Sequence, residues 1–268
     1  EYYAELCKPR LHGTFGIVLH WFIRVGERIG AHMASAVVTV DETLGEIYRK
    51  SNQQVVVIGH YPNRSFAARP SCVFTHSELR LLYIGRISVD RGLLIYVELL
   101  RYLREWGIPA RLCLAGAFVP SEEEQRLHDC FQWIGGSLDL RGWVSYNQIP
   151  ALLQSADVGL AILQPEPYYQ AALPVKVFEY MAAGLPIVAS DFPLISSVIK
   201  DAQCGVVVDP LDSEVAAKHI RYWWEHPEEA RMKGKNGRQA VLQKYNWENL
   251  VQRLDNLYSS LLSHNLTF

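Results

Sequence analysis

The sequence predicts an α/β fold built on a doubly wound parallel sheet, with part of a second domain ahead of it. Three observations lead there. From residue 78 onward, short strands that are apolar on both faces alternate with amphipathic helices, the pattern of a sheet covered by helices on each side. Glycines close several of those strands. Every motif with chemical promise falls on a loop at a strand's carboxyl end, the edge where such sheets bind ligands.

Taken in order, the chain opens with a predicted helix over 15–34 that mixes aromatic and basic residues (His20, Trp21, Phe22, Arg24, Arg28). A strand over 36–40, a helix over 42–50 and a strand over 54–58 follow. The stretch 59–77 reads as a linker, because Pro62, an Asn63-Arg64-Ser65 turn and Pro70 punctuate it. Strands are then expected over 80–84, 111–115, 138–140, 158–162, 186–189 and 205–208. Helices fall over 92–106, 121–134, 146–155, 175–183 and 194–200. Within the first of these, Leu93, Tyr96, Val97, Leu100 and Leu103 recur at helical spacing. After Asp209 the pattern is helical, over 213–226, 227–245 and 247–263. The expected domains are a remnant of an N-terminal domain over 1–58, the linker, a sheet domain over 78–245, and a closing segment over 246–268.

Composition narrows the function. With 268 residues, 49% of them hydrophobic, the chain suffices for one large domain or two modest ones. A net charge of −2 gives no reason to expect a nucleic acid as partner, so any anion site must be local. Cys7, Cys72, Cys113, Cys130 and Cys204 form no CxxC pair and read as structural thiols of a reducing cytosol. No run reaches the roughly 18–20 apolar residues that span a bilayer. The chain opens without Met inside helical sequence, and the expectation is a fragment lacking its N-terminal part. The nine histidines show no HExxH pattern, and no DxD-like pair offers to hold Mg²⁺ or Mn²⁺. No metal site is expected.

The richest stretch runs from Gln170 through Ala172, Leu173, Pro174, Val175, Lys176 and Glu179 to Ser190. Pro174 and Gly184 bracket a short helix whose N-terminal turn faces a polar loop. Such a turn presents unpaired N–H groups that suit a phosphate. Glu179, about two turns in, is placed to accept hydrogen bonds from a sugar hydroxyl. For an isolated KxxE, a surface lysine and a helix-face acid remain the plainer reading. The second motif is Tyr83-Ile84-Gly85-Arg86 with Arg91-Gly92, where two guanidinium groups suit a diphosphate clamp. Solvated loop arginines are the competing reading. Gly116 and Gly142-Trp143 close two further strands, as plain turns or as close approaches to a ligand. Val144 and Ser145 follow, where backbone groups are placed to meet a planar base.

Together, Gly85-Arg86, Arg91-Gly92, Gly116, Gly142-Trp143, Ala156-Asp157 and the block from Lys176 to Ser190 resemble the C-terminal domain of retaining GT-B glycosyltransferases, the family-four group above all. That domain is Rossmann-like. The match covers about residues 55–263, and 1–54 look like the end of that family's N-terminal domain. The resemblance implies a metal-free, retaining transfer from a nucleotide diphosphate sugar, UDP- or GDP-linked, to a glycan or lipid-linked acceptor, with no cofactor. By position it implies that Arg86 and Arg91 bind the diphosphate and act catalytically, Arg91 standing where the family usually has Lys. It implies that Glu179 holds the ribose, that Gly85, Gly116 and Val144 line the donor, and that backbone N–H groups at 172–175 face the phosphates. The acid that normally contacts the donor sugar falls at Ala171, and Gln170 is the nearest substitute. The closing helix, with Leu250, Leu254, Leu257 and Leu261 on one face, follows the family's tail that braces the N-terminal domain.

Two further expectations complete the reading. The fragment binds a nucleotide without transferring sugar, and the helix over 15–34 is an ordinary domain helix or else a peripheral contact with the inner membrane face. The rival functions are a non-catalytic nucleotide-binding or scaffold domain and another GT-B enzyme such as a nucleotide-sugar epimerase.

Overall fold

The computed structural model describes residues 13–67, 74, 77–120, 124–125, 127 and 136–265. Most of the helix expected over 121–134 lies outside these residues, as do Cys7, Cys72 and Cys130. The chain divides into two compact units. One comprises the residues up to His60 with those from Trp247 on, and the other is Tyr61–Asn246.

In the first unit, helix α1 (Gly13–Met33) leads to strand β1 (Val37–Thr39), helix α2 (Glu42–Arg49) and strand β2 (Val55–Val57). The two strands pair in parallel, with Val37 opposite Val55. Asp41 caps α2 by accepting the Leu44 N–H at 2.8 Å. Asn52 donates through Nδ2 to the carbonyls of Ala31 and Ala34, both at 2.7 Å, and so fastens the α2–β2 turn to the end of α1. Along α1, Phe15, Val18, Phe22, Ile29 and Met33 recur at helical spacing and are exposed. The terminal helix Trp247–Asn265 buries Leu250 and Leu257.

The second unit runs β3 (Leu79–Ile84), α3 (Leu93–Glu105), β4 (Ala110–Ala115), β5 (Leu138–Gly142), α4 (Ile149–Gln154), β6 (Val158–Ala161), α5 (Pro167–Gln170), α6 (Val175–Ala183), β7 (Ile187–Ser190), α7 (Pro193–Ala202), β8 (Gly205–Val208), α8 (Ser213–Glu225) and α9 (Pro227–Gln243). Six strands form one parallel sheet in the order β5-β4-β3-β6-β7-β8. The chain builds outward from β3 in one direction and from β6 in the other. The order therefore reverses between β3 and β6, and a crevice opens at their carboxyl ends.

Each face of the sheet has its own core. Leu79, Leu81 and Tyr83 of β3 join Leu100, Leu114 and Trp223 on one side, while Leu82 and Ile84 join Phe178, Met181 and Ile195 on the other. That alternation is the period of two expected of a strand. Helix α6 is buried from Lys176 through Ala183. The Tyr180 hydroxyl accepts the Ile84 N–H at 3.1 Å and locks α6 under β3. Helix α9 lies close against the end of α6, because a Cβ on Gly234 would overlap the Gly184 carbonyl.

Strand and helix placements agree with expectation to within a few residues, with three differences. The helix expected over 146–155 begins as a 3₁₀ turn, Tyr146–Gln148, closed by a Ser145–Gln148 capping box. The 59–77 segment is not all linker: Tyr61 packs edge-on against Phe178 with ring centroids 4.6 Å apart, and Arg64–Ala67 is a 3₁₀ turn that buries Ala67. The four-residue α5 was not anticipated. It is too short for hydrophobic periodicity to register.

Candidate functional site

The crevice between β3 and β6 collects most of the expected site residues. Gly85 leaves β3 with φ 128°, and the loop it opens carries Arg86 and the 3₁₀ turn Val89–Arg91. The Tyr83 hydroxyl donates to the Arg86 carbonyl at 2.6 Å and holds that loop down. From the β6 side, the segment leading into α6 folds over the same loop. The Gln164 N–H donates to the Asp90 carbonyl at 3.1 Å.

Tyr169 of α5 is the hub between the two segments. Its hydroxyl donates to Asp90 Oδ2 at 2.6 Å. It accepts from Arg91 Nε at 3.0 Å and from Arg86 Nη2 at 3.4 Å. Arg86 also reaches Asp90 at 3.2 Å, and the Tyr168 hydroxyl donates to the same carboxylate at 3.2 Å. Burial works against ionisation of Asp90, but its hydroxyl partners and the Arg86 charge outweigh it and hold the carboxyl below its ordinary range.

Lys176 enters from below. Its Nζ lies 3.6 Å over the centre of the Tyr83 ring, and a Cβ added to Gly85 would stand 3.3 Å from it. The amine is buried and has no hydrogen-bond partner among the described residues. Burial first, then the neighbouring Arg91 charge, pushes its pKa well below the ordinary lysine value, against the pull of Glu179. A buried donor left without an acceptor costs about 1–3 kcal/mol. Glu179, one turn further along α6, is also buried. Burial raises its pKa above the carboxylate norm despite Lys176. Tyr146 stands near enough for the Glu179 charge to join burial in raising its own pKa.

The structure thus brings Gly85, Arg86, Arg91, Lys176 and Glu179 to one crevice, and it adds Tyr83, Asp90, Tyr146 and Tyr169. Other expected residues stand differently. Of the backbone groups at 172–175, the Ala172 N–H is already bonded to the Tyr169 carbonyl at 3.1 Å, and Pro174 has no N–H. The first turn of α6 leaves the Val175 and Lys176 amides outside the helix's own hydrogen-bond ladder. Leu173 packs against the core instead. Gln170 turns its amide to the Pro165 carbonyl at 3.0 Å, so its side chain is tied to its own loop. Gly116 has a packing reason, since a Cβ there would overlap the Gly85 carbonyl on the neighbouring strand. Val144 lines a separate groove of about 460 Å³ with Arg141, Trp143, Gln148 and Leu152, none of which belongs to the cation cluster. Among the described residues no three His, Cys, Asp or Glu side chains gather in a way that suits a metal ion. No described helix is long and apolar enough to cross a membrane.

Comparisons with known proteins bear on the family and the fold. The model of the family "Glycosyl transferases group 1" matches residues 66–240. The lipopolysaccharide 1,2-N-acetylglucosaminetransferase of Salmonella typhimurium is 29% identical over 65% of this chain and 46% of its own length. The GDP-mannose:cellobiosyl-diphosphopolyprenol alpha-mannosyltransferase of Xanthomonas oryzae is 26% identical over 97% of this chain and 71% of its own. The chain spans about half the length of several curated relatives that it matches. Among solved structures, sucrose-phosphate synthase from Thermosynechococcus elongatus superposes with a TM-score of 0.72 at 22% identity, covering 92% of this chain and 62% of that one. Anabaena HepE in complex with UDP gives 0.73 at 16% identity, covering 94% and 69%. These two likenesses concern the fold. With the family model matched over more than half its residues, the chain belongs to the group 1 glycosyl transferases.

Proposed function

We propose that this chain is the donor-binding part of a glycosyltransferase that takes a sugar from a UDP- or GDP-linked donor, with retention and without a metal, and delivers it to a glycan or lipid-linked acceptor. One observation carries the reading. Two arginines and a buried amine that finds no hydrogen-bond acceptor among the described residues converge at the switch point of the sheet, beside the N-terminal turn of α6.

That arrangement suits a diphosphate leaving group. As the glycosidic bond stretches, negative charge builds on the diphosphate, and fixed cations with helix amides stabilise it without reorganising. Arg86 and Arg91 take the outer oxygens, the Val175 and Lys176 amides the inner ones, and Lys176 Nζ gains the acceptor it lacks. Glu179, deeper on the same helix, holds the ribose. The departing phosphate oxygen takes the proton of the incoming hydroxyl. A reducing, cytoplasmic setting is supported by the free thiols of Cys113 and Cys204. The exposed stripe on α1 supports peripheral membrane contact, which co-sedimentation with anionic liposomes tests.

Isothermal titration with UDP, GDP and ADP tests the core of the reading. Binding of at least one is expected, and binding of none contradicts it. Ala171, where the resemblance has an acid, favours a second reading as a nucleotide-binding domain without catalysis. Binding combined with absent turnover in a longer form supports that alternative.

A further inference from the structure

We propose that Tyr169 is a positioning residue that sets the geometry of both diphosphate-binding arginines through its hydroxyl. The proposal rests on the donor reading above and assigns a role within that site.

Two guanidinium groups placed side by side repel each other, and each has several rotamers to choose from. Something must hold them together before an anion arrives. Asp90 alone does not suffice, since only Arg86 bonds to it directly, at 3.2 Å. Tyr169 closes the arrangement. Its one hydroxyl accepts from Arg91 at 3.0 Å and from Arg86 at 3.4 Å, and it gives its own proton to Asp90 at 2.6 Å. Each partner thus uses a different part of the hydroxyl: its two lone pairs take the two cations and its proton goes to the anion. The Arg91 guanidinium carbon lies 5.5 Å from the centre of the Tyr169 ring, so the ring also supports that side chain from one face.

Tyr169 can do this because it is itself buried and bonded at both backbone groups. It is 5% exposed and belongs to the core that includes Phe178 and Met181. Its backbone is fixed at both ends: its N–H donates to the Glu166 carbonyl at 2.9 Å, and its carbonyl accepts the Ala172 N–H. The neighbouring Tyr168 ring lies 4.2 Å away, centre to centre, and adds a second hydroxyl to Asp90. The guanidinium groups therefore take their positions from the segment that leads into α6. The phosphate-facing helix and the clamp that opposes it are registered against each other by one phenol. Preorganisation of this kind matters most for the group whose charge the arginines meet, the terminal phosphate, and least for the base and ribose.

The test compares wild type with Tyr169→Phe, which keeps the ring and its packing and removes the oxygen. Affinities for UDP, GDP, UMP, GMP and uridine are measured by isothermal titration, with thermal unfolding as a check on the fold. The expected result is a loss of about tenfold for whichever diphosphate binds, with less than about twofold change for the matching monophosphate. Unchanged diphosphate affinity overturns the role. So does an equal loss for diphosphate and monophosphate, which marks a general structural defect. Wild type binding none of these compounds overturns the donor reading itself and takes the role of Tyr169 with it. Tyr169→Leu, which removes the aromatic support as well, is expected to lose at least as much diphosphate affinity as Tyr169→Phe. Retention of full affinity in that variant also contradicts the proposal.

Discussion

Strands β3 and β6 lie side by side, and their two ends handle buried charge in opposite ways. At the amino end, Asp157 is 1% exposed and fully satisfied. It accepts the backbone N–H groups of Phe74 at 2.6 Å and Arg80 at 2.9 Å, and the Arg80 guanidinium at 2.9 and 3.0 Å. At the carboxyl end, Arg86 pairs with the half-buried Asp90, Arg91 bonds to Tyr169, and Lys176 lies near the buried Glu179 with an amine that hydrogen-bonds to nothing among the described residues. A closed ion pair ties two strands together and needs no ligand. An incompletely bonded one leaves a buried polar group at a standing cost of about 1–3 kcal/mol. Under the donor reading, the same sheet carries a structural charge site and a ligand site, and they differ in whether the hydrogen bonds among the described residues are complete.

The largest expected effect lies at the closed end. Asp157→Ala leaves the Arg80 side chain and two backbone donors without their acceptor and is expected to cost about 3–5 kcal/mol of folding stability. Urea denaturation measures it, and nucleotide affinity of the folded fraction stays as in wild type. A variant of unchanged stability would break the comparison from that side.

Next comes the open end. Arg86→Ala is expected to lower kcat/KM of a turnover-competent enzyme by at least ~10²-fold, about 2.7 kcal/mol of transition-state stabilisation, with little change in melting temperature. Near-normal turnover removes Arg86 from the mechanism.

The smallest effect has the opposite sign. Lys176→Met fills the same space without an unmet donor and is expected to stabilise the ligand-free protein by about 1–3 kcal/mol while weakening UDP or GDP binding. The pH dependence sharpens this. Lys176 has a folded-state pKa well below its ordinary 10.5, so the unfolded chain binds the extra proton between those two values. Wild-type stability should therefore rise with pH across that window relative to Lys176→Met, and flatten above 10.5. Parallel stability profiles for the two proteins would show that Lys176 titrates normally.

Sequence reasoning reached the parts of this site that follow from local rules. Helix α6 was bounded at Val175 and Ala183 because Pro174 and Gly184 mark its ends. The sheet followed from strands apolar on both faces. Arg86 and Arg91 were visible because a glycine closes the strand before them. The hub was not visible. Tyr169 and Asp90 meet only because the segment after β6 folds back over the Val89–Arg91 turn, a contact 79 residues apart in sequence. A Tyr168-Tyr169 pair just ahead of the expected acid position was the only available signal. Two local bonds around Gln170 and the 172–175 amides are not legible in the sequence: the end of α5 takes up the Ala172 N–H, and the Gln170 amide bonds within its own loop. The sequence leaves Gly116 open between a turn and a ligand approach, and the structure adds a packing reason for it, room for the Gly85 carbonyl.

A crystal structure of the protein with bound UDP or GDP tests the central claim most directly. The expected result places the terminal phosphate within hydrogen-bond reach of Arg86, Arg91 and Lys176 Nζ, against the first turn of α6. A nucleotide seated elsewhere, such as the Trp143 groove, with Lys176 still lacking an acceptor, would contradict it.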